Sequence, residues 1–331
     1  MDKSELAFRL TFRQTLSSAK QLVMNGLASA NGGLRKLMAF ALHCQTPSAY
    51  PFVLKYAFCR REGDGKKILK ITAAVHMLQQ SSFITDDIFD CGELRYGDHP
   101  MYLKYDVNQA IIATELLQAI AFRCLSEELS ENGFRNTAIV LKLFNQILLD
   151  GYVGQYLDIF NSARATVVLR DYYRVIAFGA GRLFHSVARC GALLAGKPEA
   201  EVRTLSKFAY AYGMAAFIVD DIIDILPGWE TGKTYASDLK VRRMRLPLIM
   251  ALRLANRGQR QLLYRFLSRD VDRRPGIEQV ATVIRHCGAL EASQRIARRY
   301  LRASLGRLSK LPPSVTAERL RWLAERLFRL V

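Results

Sequence analysis

Helix breakers are scarce in this sequence, with nine prolines in 331 residues, and no stretch alternates apolar and polar residues long enough to build a sheet. Half of the residues are hydrophobic and they recur three and four positions apart, which predicts an all-α chain. No run of eighteen apolar residues could span a bilayer, and the first residues, Met-Asp-Lys-Ser-Glu-Leu-Ala-Phe-Arg, lack the apolar centre of a secretory signal. Six cysteines, Cys44, Cys59, Cys91, Cys124, Cys190 and Cys287, form no C-x-x-C pair, which argues against a zinc site or a disulfide framework. The expectation is a soluble cytoplasmic protein. No low-complexity segment or short repeat divides the chain, so residues 1–331 are read as one domain.

The formal charge of +18 is concentrated in the last ninety or so residues, among them Arg242, Arg243, Arg245, Arg295, Arg298 and Arg299. Most of these leave Leu, Ile and Ala on the opposite helical face, the pattern of a solvated amphipathic surface. No basic motif with interleaved aromatics marks a nucleic-acid module. Peripheral contact with an anionic membrane through this basic surface is compatible with the charge.

The acidic residues are more specific. Asp86, Asp87 and Asp90 interrupt the apolar run around Phe83, Ile84 and Ile88, and the i, i+4 spacing of Asp86 and Asp90 puts both on one helix face. Asp220, Asp221 and Asp224 repeat the spacing between Phe217 and Leu226. Carboxylates crowded in apolar surroundings cost several kcal/mol each unless a cation lies between them, and an oxygen-only donor set points to Mg²⁺ shared with a phosphate group. Two such helices facing one another would cage a diphosphate.

Apolar periodicity and breaks predict helices over 4–28, 34–44, 52–60, 68–91, 105–129 and 135–161. Another starts at a cap on Asp171 and runs into Leu194, and one over 199–225 carries the second acidic motif. Further helices follow from Leu246 onward.

The order of signals resembles the trans-isoprenyl diphosphate synthase family over most of the chain. It includes Arg95-x-Gly97 after the first acidic motif, Gly154-Gln155-Tyr-Leu-Asp158 in the middle, Arg182-Leu-Phe184, and Gly191 to Gly196. After the second motif come Gly232-Lys233-Thr-Tyr-Ala-Ser-Asp238-Leu239 and Leu246-Pro247. The resemblance implies a single large helical bundle around a deep central pocket, assembled as a homodimer, with an allylic prenyl diphosphate as substrate. It implies that Asp86, Asp87, Asp90, Asp220, Asp221 and Asp224 hold three Mg²⁺ ions. Arg95 and Lys233 would be further cationic contacts, and Gln155 and Asp158 would face the pocket. Breaking the allylic C–O bond leaves charge on the diphosphate that preplaced cations stabilise, while the carbocation needs apolar walls, with Phe83, Phe184 and Phe217 as candidate aromatic faces.

Departures from the family pattern fall on the second substrate. Where the family grips a homoallylic diphosphate with Lys, His and a second Arg, this chain has Leu34, Gln79 and Tyr96, keeping only Arg35. A Lys-Thr pair falls on Gly179-Ala180 and a Phe-Gln pair on Ala216-Phe217, whereas the basic segment Val241-Arg-Arg-Met-Arg245 retains its charge. Ionisation machinery without the acceptor's anchor leads to the expectation of a terpene synthase that ionises one allylic diphosphate and cyclises or rearranges it. The alternatives are chain elongation with isopentenyl diphosphate, prenyl transfer to another acceptor, and a regulatory subunit of an active synthase. Ser81 and Ser82 occupy the pocket-floor positions of the family, and their small side chains imply a substrate of C20 or longer. His43, His185 and His286 are read as core or surface residues, and His76 as either core or pocket lining.

Overall fold

Helix starts follow the short polar side chains. Asp2, Asn31 and Asp106 each accept a hydrogen bond from a first-turn amide, at 3.2, 2.9 and 2.8 Å. Asn256 and Gln259 cap one another reciprocally. The computed structural model describes residues 2–43, 47–61, 63–162, 164, 166–227, 235–268 and 275–331. Among them lie sixteen α-helices and no strand. They are α1 (Lys3–Gly26), α2 (Gly32–Ala41), α3 (Ala49–Phe58), α4 (Leu69–Phe89), α5 (Met101–Lys104), α6 (Val107–Glu131), α7 (Thr137–Asn161) and α8 (Leu169–Ile176). The chain continues with α9 (Arg182–Leu194), α10 (Glu199–Asp224), α11 (Ser237–Lys240), α12 (Leu246–Leu254), α13 (Arg257–Leu267), α14 (Ile277–His286), α15 (Ala289–Leu308) and α16 (Val315–Phe328). The all-α expectation holds, and no helix among the described residues is long and apolar enough to cross a membrane.

Two helices are buried around nearly their whole girth. Residues Ile71 to Leu78 of α4 are all buried, and α10 buries Leu205, Phe208, Ala211, Met214, Ile218 and Ile222 on several faces. α4 packs chiefly on α6 and α1, and α10 on α15 and α9. One apolar core gathers α1, α3, α4, α6 and α9; a second gathers the C-terminal half of α10 with α12 to α15. The C-terminal α16 closes onto the start of the chain, where buried Arg319 donates to Ser4 Oγ at 2.7 Å and Thr316 Oγ1 donates to the Cys59 carbonyl at 2.6 Å.

One expected helix is divided. Instead of starting from a cap on Asp171, α8 begins at Leu169, and Asp171 sits in its first turn accepting from the Val168 amide at 3.2 Å. A π turn over Ala177–Gly181 then separates α8 from α9. The neighbour is α7, pressed so close that a Cβ on Gly154 would lie 2.7 Å from the Gly179 amide nitrogen. Only glycine at 154 permits that approach.

Candidate active site

Both acidic motifs end their helices, Asp90 as the C-cap of α4 and Asp224 as the last residue of α10. Carboxylates at a helix C-terminus face the negative end of the dipole, so each needs a cation more than its sequence neighbours suggest. Asp86 is half-buried, and burial followed by repulsion from Asp90 pushes its pKa up to about 7. Asp87 is buried against Arg95, whose Nε lies 3.0 Å from both carboxylate oxygens and whose Nη2 lies 2.5 Å from Oδ1. Asp221 is buried, accepts from the Tyr172 hydroxyl at 2.6 Å, and is pushed well up by burial. Asp224 accepts from the Ser237 amide and hydroxyl at 3.0 and 2.7 Å and from the Asp238 amide at 3.2 Å. Asp220 is exposed.

The motifs are joined by residues that the sequence pattern placed on a solvated face. Arg243 is 3% exposed; its Nε donates to Asp90 at 2.9 Å and its Nη1 to Ser162 at 2.8 Å. Asp158 of α7 lies 3.5 Å from Arg243 and accepts from Arg245 Nη1 at 2.8 Å. Arg245 Nε reaches Asp238 at 2.9 Å and Asp221 at 3.6 Å. A continuous chain of charge therefore runs from Asp90 through Arg243, Asp158 and Arg245 to Asp221 and Asp238. Buried carboxylates so close would be prohibitive without those guanidinium groups. Even so, burial pushes Asp238 up to about 7, with Arg245 opposing the rise and Asp224 adding to it.

The aromatic faces expected near a carbocation are differently used. Arg95 stacks over Phe83 with its guanidinium carbon 5.1 Å from the ring centre, and Arg245 over Phe217 at 5.2 Å. Phe184 is buried between Tyr50 and Tyr212, at 3.9 and 5.2 Å between ring centres, within the core. Gln155 lies half-buried on α7, one turn before Asp158. Lys233 lies outside the described residues.

Ser81 is fully buried and donates to the Leu78 carbonyl at 2.8 Å, whereas Ser82 is exposed. Beneath Ser81 lies a bridge that sequence reasoning missed: Gln118 Nε2 approaches Ser81 Oγ at 3.4 Å and donates to the Tyr152 hydroxyl at 2.5 Å. At the second-substrate positions, Gln79 accepts from Ser48, and Gln80 donates to the Tyr96 hydroxyl at 3.5 Å. Arg35 is exposed near the start of α2. A cavity of about 920 Å³ opens between α7, α8 and α9, with Leu143, Phe178 and Arg182 in its wall and none of the six motif aspartates.

The acidic motifs offer carboxylate oxygens, the donor type that Mg²⁺ prefers, but among the described residues no three acidic, histidine or cysteine side chains come close enough together to hold a metal ion. Arg95 engages Asp87, Arg243 engages Asp90, the Tyr172 hydroxyl engages Asp221 and the Ser237 amide and hydroxyl engage Asp224.

A family model described as "Polyprenyl synthetase" matches residues 49–284. A geranylgeranyl diphosphate synthase of Sulfolobus acidocaldarius is 24% identical over 322 residues, covering 95% of this chain and 96% of that one. An all-trans-nonaprenyl-diphosphate synthase of Rhodobacter capsulatus is 26% identical over 303 residues, covering 91% and 90%. Among solved structures, geranylgeranyl pyrophosphate synthetase from Pyrococcus horikoshii superposes with a TM-score of 0.84 at 21% identity, covering 99% of both chains.

Proposed function

The chain belongs to the polyprenyl synthetase family, and from that premise we propose that it is a prenyltransferase which ionises an allylic prenyl diphosphate and joins the prenyl group to isopentenyl diphosphate. The observation that carries this reading is the run of ion pairs linking Asp90 to Asp221 through Arg243, Asp158 and Arg245, which brings both aspartate motifs to one place. Mg²⁺ held by carboxylates of the two aspartate motifs would supply the charge that draws the diphosphate away from carbon.

The chain's own residues do the rest. In the donor, the C–O bond breaks and its electron pair leaves with the diphosphate. Arg243 and Arg245 hold fixed positive charge between the motifs, and little reorganisation is needed as the leaving group becomes more negative. Arg95 holds Asp87 in place through its Nε and Nη2. The double bond of isopentenyl diphosphate then attacks the allylic cation, forming a C–C bond, and a proton is lost from the neighbouring carbon. Released diphosphate is the base closest to hand. The small, buried Ser81 supports an allylic chain of C20 or longer, with Gln118, 3.4 Å from its hydroxyl, as a residue that would border the end of that chain.

Elongation is supported by relatives that are themselves named as prenyl diphosphate synthases and that cover nearly the whole chain. A second reading, cyclisation of a single allylic diphosphate, is favoured by one observation. Gln79 and Tyr96, where the family pattern has cations, are uncharged and hydrogen-bonded to Ser48 and Gln80. Incubation with C10, C15, C20 and C25 diphosphates, with and without labelled isopentenyl diphosphate, separates the two. Label in a longer diphosphate supports elongation; hydrocarbon or alcohol from the allylic diphosphate alone, without label, replaces it with cyclisation. Homodimer formation is supported by Ile111, Ile112, Leu149, Val153, Tyr156 and Phe160, all exposed on α6 and α7. Sedimentation velocity of the purified chain tests that part.

A further inference from the structure

Residues 240–331 contain 22 Lys and Arg against 6 Asp and Glu, so this part of the chain carries +16 of the total +18. Within it, the α12–α13 hairpin differs from the rest. From Leu246 to Ser268 there is no acidic residue, while Arg253, Arg257, Arg260 and Arg265 are all exposed. No carboxylate pairs with any of the four among the described residues; Arg260 only caps the Arg253 and Ala255 carbonyls, at 3.3 and 3.1 Å. By contrast α16 intersperses Glu318 and Glu325 among its arginines.

The hairpin also exposes apolar bulk where its charge is densest. Leu254, at the end of α12, is 47% exposed and Tyr264 of α13 is 50% exposed. At about 100° per residue, Tyr264 lies on the outward face of α13 about 20° from Arg257, with Arg260 about 40° to one side and Arg265 about 100° to the other. Leu263, Phe266 and Leu267 form the buried side, which begins just beyond Arg260. An outward face with an amphipathic aromatic beside arginines that have no carboxylate partner among the described residues matches the interface of a bilayer, where Tyr sits at headgroup depth and Arg meets lipid phosphate.

The hairpin is tied to the aspartate site at both ends. At its start, the Leu246 amide lies 3.4 Å from the Asp221 carboxylate, directly after Arg245; at its end, Arg242 Nη1 donates to the Ser268 carbonyl at 3.3 Å. We propose that the α12–α13 hairpin is a docking surface for an anionic membrane, seating Tyr264 and Leu254 among headgroups while Arg253, Arg257, Arg260 and Arg265 meet lipid phosphates. Such a contact places the diphosphate-binding machinery one short hairpin from the phase into which a long prenyl chain partitions.

The test uses the whole purified chain without substrate, so its outcome does not depend on which prenyl reaction occurs. Vesicles of phosphatidylcholine alone and of phosphatidylcholine with phosphatidylglycerol are sedimented at low and at high salt. The expected result is binding to the anionic vesicles that weakens at high salt. Combined R257Q, R260Q and R265Q should lower the partition coefficient on the order of 100-fold, at roughly fivefold for each arginine near the surface. The matched triple R295Q, R299Q and R302Q on α15 should lower it much less, and Y264S alone should lower it severalfold while leaving the salt dependence in place. All seven positions are exposed, and melting curves confirm that each variant is folded. Equal binding to neutral and anionic vesicles would overturn the proposal. So would an α15 triple that matches or exceeds the hairpin triple, or capture of single-stranded RNA with no vesicle binding.

Discussion

Substituting His76 tests how this core tolerates a polar group. His76 is fully buried in α4, its ring 6.1 Å from that of Phe12, and neither of its nitrogens has a partner among the described residues. Burial, with repulsion from Lys20, pushes its pKa down to about 4. In the unfolded chain the same group titrates near 6.5. The folded pKa is thus depressed, and the fold accepts only the neutral ring. Stability is complete above about 6.5 and is lost as pH falls from there towards 4, because the unfolded chain takes up a proton that the folded chain refuses. Between about pH 7.5 and pH 5 this one residue should remove about 2 kcal/mol of stability. His76→Leu abolishes that titration and also removes two unsatisfied buried nitrogens, a gain of about 1–3 kcal/mol at neutral pH. Urea unfolding of both chains at the two pH values measures the difference. An equal loss of stability on acidification in the two chains would refute the reasoning, as would a destabilised variant at neutral pH.

Three further outcomes are expected. Gly191→Ala should destabilise the protein by about 1–3 kcal/mol and lower its melting temperature, because the new Cβ would lie 2.3 Å from the Leu54 carbonyl oxygen where α9 crosses α3. Tyr172→Phe removes the 2.6 Å hydrogen bond to Asp221, and denaturant titration should register a loss of about 1.5–3 kcal/mol. Gln118→Ala opens the bridge to Tyr152 and should lengthen the products seen by mass analysis, whereas Ser81→Phe should shorten them; unchanged product lengths in both would remove these residues from the pocket floor.

Much of the fold was legible because it is written locally. The helices over 199–224, 137–161 and 69–89 follow from apolar spacing and polar breaks, and the two aspartate triplets were visible because each is a five-residue pattern. What joins the triplets was visible only as a basic segment over 241–245 and a mid-chain Asp158, with no partners assigned. Arg243 and Arg245 share a segment with surface arginines and look the same by periodicity, yet they are buried among carboxylates that are 153 and 87 residues away in the chain. The Tyr172 hydroxyl holds Asp221 across 49 residues of chain, a link that no local pattern marks. The Gln118–Tyr152 bridge joins two helices that no spacing rule connects. The division of the long helix after Ile176 depends on how closely α7 approaches Gly179, which is a property of the packed molecule.

The π turn at Ala177–Gly181 has a consequence for the length of this chain. A π turn holds one residue more than the α-helical turn it replaces. Because the extra residue is absorbed within one wider turn, deleting one of the five would let 169–194 wind as an uninterrupted α-helix while Tyr172 and Phe184 keep their facing towards Asp221 and Tyr50. What would change is the wide turn itself, whose Gly179 backbone lies against Gly154 of α7. This stretch should therefore accept the loss of one residue more readily than a side chain at position 154.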